Sequence, residues 1–168
     1  ICIRSGSKGV KKKNIKIING KPLVYYSFIT AKKTKIFSNI FVSSDSENFL
    51  NICKKFGAND LVKRPKILSS DKSGKIEAIK HALISAEKKY NTKYEYVIDL
   101  DATSPLRTVD DIKKAYKKFL KSNSSNLFSV TNSNRSPYFN MVEIKNSKVQ
   151  LVKKSKKQYH IRGSHQPP

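Results

Sequence analysis

"NIFVSSDSENFLNICKKFGANDLVK", residues 39–63, decides the fold. Asn39–Asp45 is apolar and β-branched and is bounded by Asn and Asp, which predicts a strand. From Ser46 to Phe56, the residues Phe49, Leu50, Ile52 and Cys53 fall on one side of a helix, and Gly57 stops it. A short strand follows near Asp60–Lys63.

The same alternation extends in both directions. Upstream, Ile1–Arg4 ends a strand. Pro22 then opens a helix through Lys33, with Leu23, Tyr26 and Ile29–Thr30 at helical spacing. Downstream, Ser73 to Lys89 is the strongest helix. Ile76, Ile79, Ala82, Leu83 and Ala86 make its apolar face, and Ser73 is placed to cap it. Tyr96–Leu100 is expected as a central strand, with "ATSP" as its exit turn. Thr108 caps a further helix running to about Lys121, and Asp110 and Asp111 suit the positive end of its dipole. Asn126–Thr131 predicts another strand. After Pro137 the runs "YFNMVEI" and "KVQLV", joined by "KNS", give a hairpin signal. The fold class predicted is α/β: a doubly wound, mostly parallel sheet in residues 1–132 with a small β-rich appendage in residues 133–168. Such sheets bind ligands outside the carboxyl ends of their strands. Three loops then stand out: Arg4–Asn14, Asp45–Glu47 and Asp101–Arg107.

Charge alone points elsewhere. A formal net charge of +23 first suggests nucleic acid. Only five basic residues are arginine, however: Arg4, Arg64, Arg107, Arg135 and Arg162. Arginine's planar fork is the usual reader of bases and phosphates. Lysine spread along helices marks a solvated surface or, alternatively, a polyanion surface. Aromatic residues are not interleaved with the basic runs, so nucleic acid is not the expected partner. Cys2 and Cys53 lack metal spacing and read as small buried thiols of a reducing, cytoplasmic protein. No apolar run approaches the roughly 18 residues of a membrane span, and no membrane partner is expected. His81, His160 and His165 form no nucleophile or metal constellation.

The opening loop, "RSGSKGVKKKN" from Arg4 to Asn14, concentrates cations among glycines. Gly6 and Gly9 permit positive φ and close approach of backbone N–H groups to an anion. Ser7 adds a hydroxyl; Arg4, Lys8 and Lys13 add charge. The loop matches neither GxxxxGK[ST] nor GxGxxG. An exposed lysine-rich turn and a phosphate cradle both fit its composition; its place after the first strand favours the cradle.

RSGSKGVKKKN resembles the ARGGSKGxPxKN signature of the CMP-sialic acid synthetase (acylneuraminate cytidylyltransferase) family. "GKPLVYYS", "VSSD", "RPKILSSD" and "LDATSPLRTVDDI" are similar to that family's GKPL, VSTD, RPxxLAxD and LQPTSPLRTxxDI segments, in the same order. "SPYFNMVEI" resembles a segment of its bacterial members. The resemblance covers nearly the whole chain. It is nearest to the branch that acts on legionaminic-type sugars, which also reads "IDLD" at this point and carries a lysine at Lys75, where sialic members have serine.

The resemblance implies a Rossmann-like nucleotidyltransferase fold and transfer of CMP from CTP to a nine-carbon acidic sugar, with Mg²⁺ and release of pyrophosphate. Another sugar nucleotidyltransferase, of Kdo or sugar-1-phosphate type, is the alternative. By position, Arg4, Ser7, Lys8 and Lys13 would hold the triphosphate, with Arg4, Lys8 and Lys13 serving catalysis. Asn14, Arg64 and Lys75 would position the nucleotide; Arg64 could equally be a surface residue before a proline. Asp101, Thr103 and Ser104 would face the sugar, and Arg162 and Gln166 would meet its carboxylate. Asp101 replaces a glutamine and could read amino substituents, sit near metal, or serve only as a turn carboxylate. Asp99 reads as structural, and Arg107 could pair with Asp110 or Asp111. Ser5, Ile3 and Lys11 depart from the family's Gly, Ala and Pro. The family's metal-binding aspartates would lie beyond Pro168, so the chain reads as a fragment of a longer protein. The appendage resembles a dimerisation segment, which implies a homodimer.

Overall fold

The computed structural model describes residues 1–7, 9–70, 73–131, 134, 135, 137, 138 and 141–153. The chain forms two compact units, Ile1–Ser125 and Asn126–Pro168.

The first unit is mixed α/β around a small parallel sheet. Strand β3 (Phe41–Ser44) pairs in parallel with β4 (Asp60–Lys63), Phe41 facing Asp60 and Ser44 facing Lys63. On its other side β3 takes the N-terminal segment, which meets it through a parallel bridge between Cys2 and Ser43. Ile3 N–H donates to Ser43 O at 2.9 Å and Ser43 N–H donates to Ile1 O at 3.0 Å. Three segments therefore run the same way, and their carboxyl ends (Arg4, Asp45 and Arg64) lie at one edge. Between the first two segments, a two-residue hairpin, β1 (Ile17–Ile18) and β2 (Lys21–Pro22), turns through Asn19 and Gly20, both at positive φ.

Helices cover both faces of this sheet. Helix α1 (Leu23–Thr34) starts one residue after Pro22, which acts as its extended N-cap. Helix α2 (Glu47–Lys55) is capped by Ser46, whose Oγ accepts from Phe49 N–H at 3.3 Å, and the chain leaves it through Gly57 at φ 90°. Val24 and Phe28 of α1 and Phe49 and Cys53 of α2 pack with Ile3, Val42 and Ala58 in the main core. Burying an aromatic or branched aliphatic side chain of this kind contributes about 1.5–3 kcal/mol. Burial also pushes the Cys53 thiol up to about 12, so it is a packing group and not a nucleophile at neutral pH. The opposite face, with Cys2 and Phe41, meets α3 (Lys75–Tyr90): the Phe41 and Tyr90 rings sit edge-on at 6.0 Å, and Lys89 Nζ and Tyr90 OH both donate to Asp60 at 2.6 Å.

Three sequence expectations shift. Gly74, not Ser73, precedes α3; the Ser73 hydroxyl donates instead to Ile67 O, and its N–H to Ser70 Oγ, within the preceding turn. Ile76 is 73% exposed, and the inward side of α3 begins at Ala78 and Ile79. Tyr96–Leu100 forms no paired strand, although Ile98 and Leu100 turn into a second core with Ala31 of α1 and Ile112 of α4 (Val109–Leu120). The apolar alternation there is satisfied by packing without a hydrogen-bonded ladder. Thr108 closes α4 with a capping box: its Oγ1 accepts from Asp111 N–H at 3.1 Å while Asp111 Oδ2 accepts from Thr108 N–H at 2.8 Å.

In the second unit, Asn126–Thr131 is not a strand, because no partner lies beside it among the described residues. The hairpin is present: β5 (Val142–Lys145) pairs antiparallel with β6 (Lys148–Leu151) through Asn146 and Ser147, both at positive φ. Arg162, Gln166, His160 and His165 lie outside the described residues, as does Lys8 of the opening loop. Among the described residues no helix is long and apolar enough to cross a membrane.

The capping box gives a direct test. Replacing Thr108 with Ala should cost about 1 kcal/mol, and with Ser a few tenths, in urea-unfolding free energy. Equal stability of all three proteins would show that α4 does not depend on this cap.

Candidate functional site

The edge where the parallel segments end brings together two of the loops singled out by the sequence, Arg4–Asn14 and Asp45–Glu47, which meet through Ser5 and Asp45. Its framework is a set of side chains that hold the start of the opening loop. Arg64, just past β4, is buried at 4% exposure. Its Nη2 donates to Ile3 O at 2.8 Å and its Nε to Ser69 Oγ at 2.8 Å. It is not a surface residue. One residue later, Asn14 Nδ2 donates to Arg4 O at 3.0 Å, and Asn14 is itself buried. At the third position, Ser5 N–H donates to Asp45 Oδ1 at 2.8 Å and Ser5 Oγ donates to Asp45 Oδ2 at 2.6 Å. Ile3, Arg4 and Ser5 are thus each fixed by a side chain from a different part of the chain.

Beyond this anchored start the loop opens. The contribution of Gly6 and Gly9 is space: among the described residues, chain neighbours aside, no atom lies within 4 Å of where a Cβ would stand on either. The positive-φ residue is Lys12, at 53°, which leads into a 3-10 turn at Lys13–Ile15. Lys13 is exposed, while Ser7 and Arg4 are half-buried. The loop returns through Leu23 N–H, which donates to Lys16 O at 2.9 Å and ties its far end to α1.

A second cluster lies at the "IDLD" run. Lys75 Nζ, from the first residue of α3, makes ion pairs with both Asp99 Oδ2 and Asp101 Oδ1. Burial alone would lower the Lys75 pKa; hydrogen bonds and charge from Asp101 and Asp99 outweigh it and hold it above the ordinary lysine value. Ser27 Oγ of α1 donates to Asp101 O at 2.7 Å and fixes the strand exit. Thr103 and Ser104 are exposed on the turns that follow. The Thr108 hydrogen bonds first, with help from the Arg107 charge, hold the Asp111 carboxyl low, while Arg107 Nη1 is buried without a hydrogen-bond partner among the described residues. The two clusters are neighbours: Arg64, Asp99 and Lys75 all act on the Cys2 thiol, whose pKa is raised, by burial first.

Asp99 and Asp45 were not among the site residues read from the sequence. The spacing of Asp99 and Asp101 carried the signal, because residues two apart on an extended chain share a face. Asp45 ended a strand within a loop already singled out, but its partner could be known only from the fold. Among the described residues no three His, Cys, Asp or Glu side chains gather as a metal cage.

Comparison with known proteins gives a consistent result. The cytidylyltransferase family description matches residues 1–167. Over 149 residues, 89% of this chain, the sequence is 43% identical to the CMP-N,N'-diacetyllegionaminic acid synthase of Campylobacter jejuni. It is 42% identical over the same length to the post-translational flagellin modification protein B of Campylobacter coli. An N-acylneuraminate cytidylyltransferase of Escherichia coli is 38% identical over 119 residues, 71% of this chain and 27% of that protein. The chain spans 63% of the length of the two Campylobacter proteins.

Two predictions follow from the anchored loop. Arg64→Lys removes the fork, so one of Ile3 O and Ser69 Oγ loses its donor; the variant should be about 1–3 kcal/mol less stable by urea unfolding. Asp45 gives a pH signature. Burial pushes its pKa up, but the two Ser5 hydrogen bonds, with the field of Arg64, bring it below the ordinary 3.8. A depressed carboxylate stabilises the fold fully above its unfolded value, and that contribution is lost as pH falls through its folded value. Melting temperature should therefore drop below about pH 4, and less steeply in Asp45→Asn than in the parent; parallel acid limbs would remove Asp45 from the account.

Proposed function

The chain belongs to the cytidylyltransferase family, and from that footing we propose that it transfers CMP from CTP to a nine-carbon acidic sugar and releases pyrophosphate. The observation that carries this reading is the anchored opening loop. Ile3, Arg4 and Ser5 at its entry are held by Arg64, Asn14 and Asp45, so the amides and cations that follow are aimed before any anion arrives. Preorganised donors of that kind are what a triphosphate and a pyrophosphate leaving group require.

In this account the doubly wound nucleotidyltransferase sheet sets the loop, and Arg4, Ser7, Lys8 and Lys13 bind the phosphates. Arg4, Lys8 and Lys13 offset the charge that grows on the departing pyrophosphate as the sugar's anomeric hydroxyl attacks the α-phosphorus. Asn14 and Arg64 act through the backbone they fix. Lys75 stands between the nucleotide side and the sugar side, where Asp101, Thr103 and Ser104 face the acceptor and Arg162 and Gln166 its carboxylate. Asp99 and Asp101 already converge on one ammonium group and offer the hard oxygen donors that Mg²⁺ prefers, one or two carboxylates beside substrate phosphates. Magnesium held there would neutralise phosphate charge. No covalent enzyme intermediate is involved.

The similarity to a legionaminic acid synthase favours that branch of acceptor. We place the enzyme in the cytoplasm as a homodimer. The hairpin β5–β6 supports the dimer, since Val142, Ile144 and Val149 are each at least 60% exposed and offer an apolar surface.

The test is pyrophosphate release with each nucleoside triphosphate against a panel of nine-carbon acidic sugars. CTP should exceed the other nucleotides in kcat/KM by tenfold or more, and Lys13→Ala should lower kcat/KM for CTP by roughly 10–100-fold. Equal use of all four nucleotides, or no release with any sugar, would reject the reading.

A further inference from the structure

Ser5 stands where the resembled cytidylyltransferases carry glycine, and neither it nor Asp45 is given a contact with substrate above. We propose that Asp45 is a positioning residue for the nucleotide loop and that Ser5 and Asp45 act as one unit. The proposal rests on the opening loop being the triphosphate site.

The geometry is specific. Both oxygens of one carboxylate are committed to one residue, Oδ1 to the Ser5 N–H and Oδ2 to the Ser5 hydroxyl. Two bonds to one residue fix its backbone direction as well as its place, and so fix how the chain leaves the strand end at Gly6. Asp45 is itself held firmly. It follows β3, and the next residue, Ser46, donates its N–H to Ser44 Oγ at 3.2 Å while its own Oγ caps α2. A side chain on so rigid a support transmits position with little slack.

The serine also answers an electrostatic difficulty. A bare carboxylate beside a triphosphate site would repel the ligand. Here both oxygens are turned onto Ser5 donors, and the Arg64 charge lies close enough to act on the group. A glycine at position 5 could supply the N–H but not the hydroxyl. Ser5 at negative φ is therefore not a strained substitute for glycine; it is the second half of the Asp45 contact.

The experiment measures three things on the protein and on Ser5→Ala, Asp45→Ala, Asp45→Asn and the double variant Ser5→Ala/Asp45→Ala. These are amide exchange of the Ser5 region without nucleotide, calorimetric Kd for CTP and for tripolyphosphate, and kcat with KM. Asp45→Ala should speed exchange at Ser5 and weaken CTP about tenfold, with kcat within about twofold. Asp45→Asn, which still accepts from the N–H, should recover most of that loss. The double variant should be no worse than Asp45→Ala, since the two residues share one interaction. The proposal is overturned if Asp45→Ala binds CTP and tripolyphosphate like the parent, if its loss appears in kcat alone, if the two single losses add in full, or if the parent binds neither anion. A parent that binds CTP but turns over no sugar would reject the enzymatic reading alone, and the Kd series would still decide the role of Asp45.

Discussion

Leaving the donors of a buried guanidinium idle is costly. Arg64 is placed beneath the end of the first parallel segment, and its fork must find acceptors there because water is absent. It finds Ile3 O and Ser69 Oγ. Those acceptors come from opposite ends of the first unit's early sequence. The strand end and the turn after β4 must therefore be in place together or not at all. The backbone of Arg64 adds to this, since its N–H donates to Ser44 O at 2.8 Å. One residue thus ties three adjacent segments at the edge where the candidate site lies. The loop geometry is consequently a property of the folded sheet and not of the loop's own sequence.

The net charge of +23 takes on a different meaning once the residues are placed. Lysines sit in the last turns of all four helices, where they oppose the negative end of the dipole. Acidic residues sit in the first turns of α2, α3 and α4. This is ordinary helix chemistry repeated in a lysine-rich chain. The cations of the opening loop differ in kind, because they follow a backbone whose direction is fixed by side chains from elsewhere.

The fold was legible where local signals and packing agree. Ser46, Thr108 and Gly57 mark helix ends by their own chemistry, and the structure uses each of them so. The strand at Asp60–Lys63 is short, but β-branched Val62 and its neighbours are flanked by clear stops. Legibility failed where a choice depended on a distant partner. Ser73 looks like a cap by type, yet its hydroxyl is taken by Ile67 O. Asn126–Thr131 has strand composition but no neighbour among the described residues, and composition cannot supply one.

The site shows the same division more sharply. Residue types and spacing singled out the loop and the "LDATSP" turn, because cations, glycines and strand ends are local features, whereas Arg64 entered only through the family resemblance. They could not tell that Arg64 is interior, nor that Lys75 answers two aspartates at once. Lys75 is separated from Asp101 by an entire helix in sequence and meets it only because the fold brings the start of α3 beside the Asp99–Asp101 run. Asp99 reads from the sequence as structural. Paired with Asp101 on one ammonium, it belongs to a charge-balanced cluster in which two carboxylates share the Lys75 cation. Charge balance there therefore ties the start of α3 to the "IDLD" run through a single side chain.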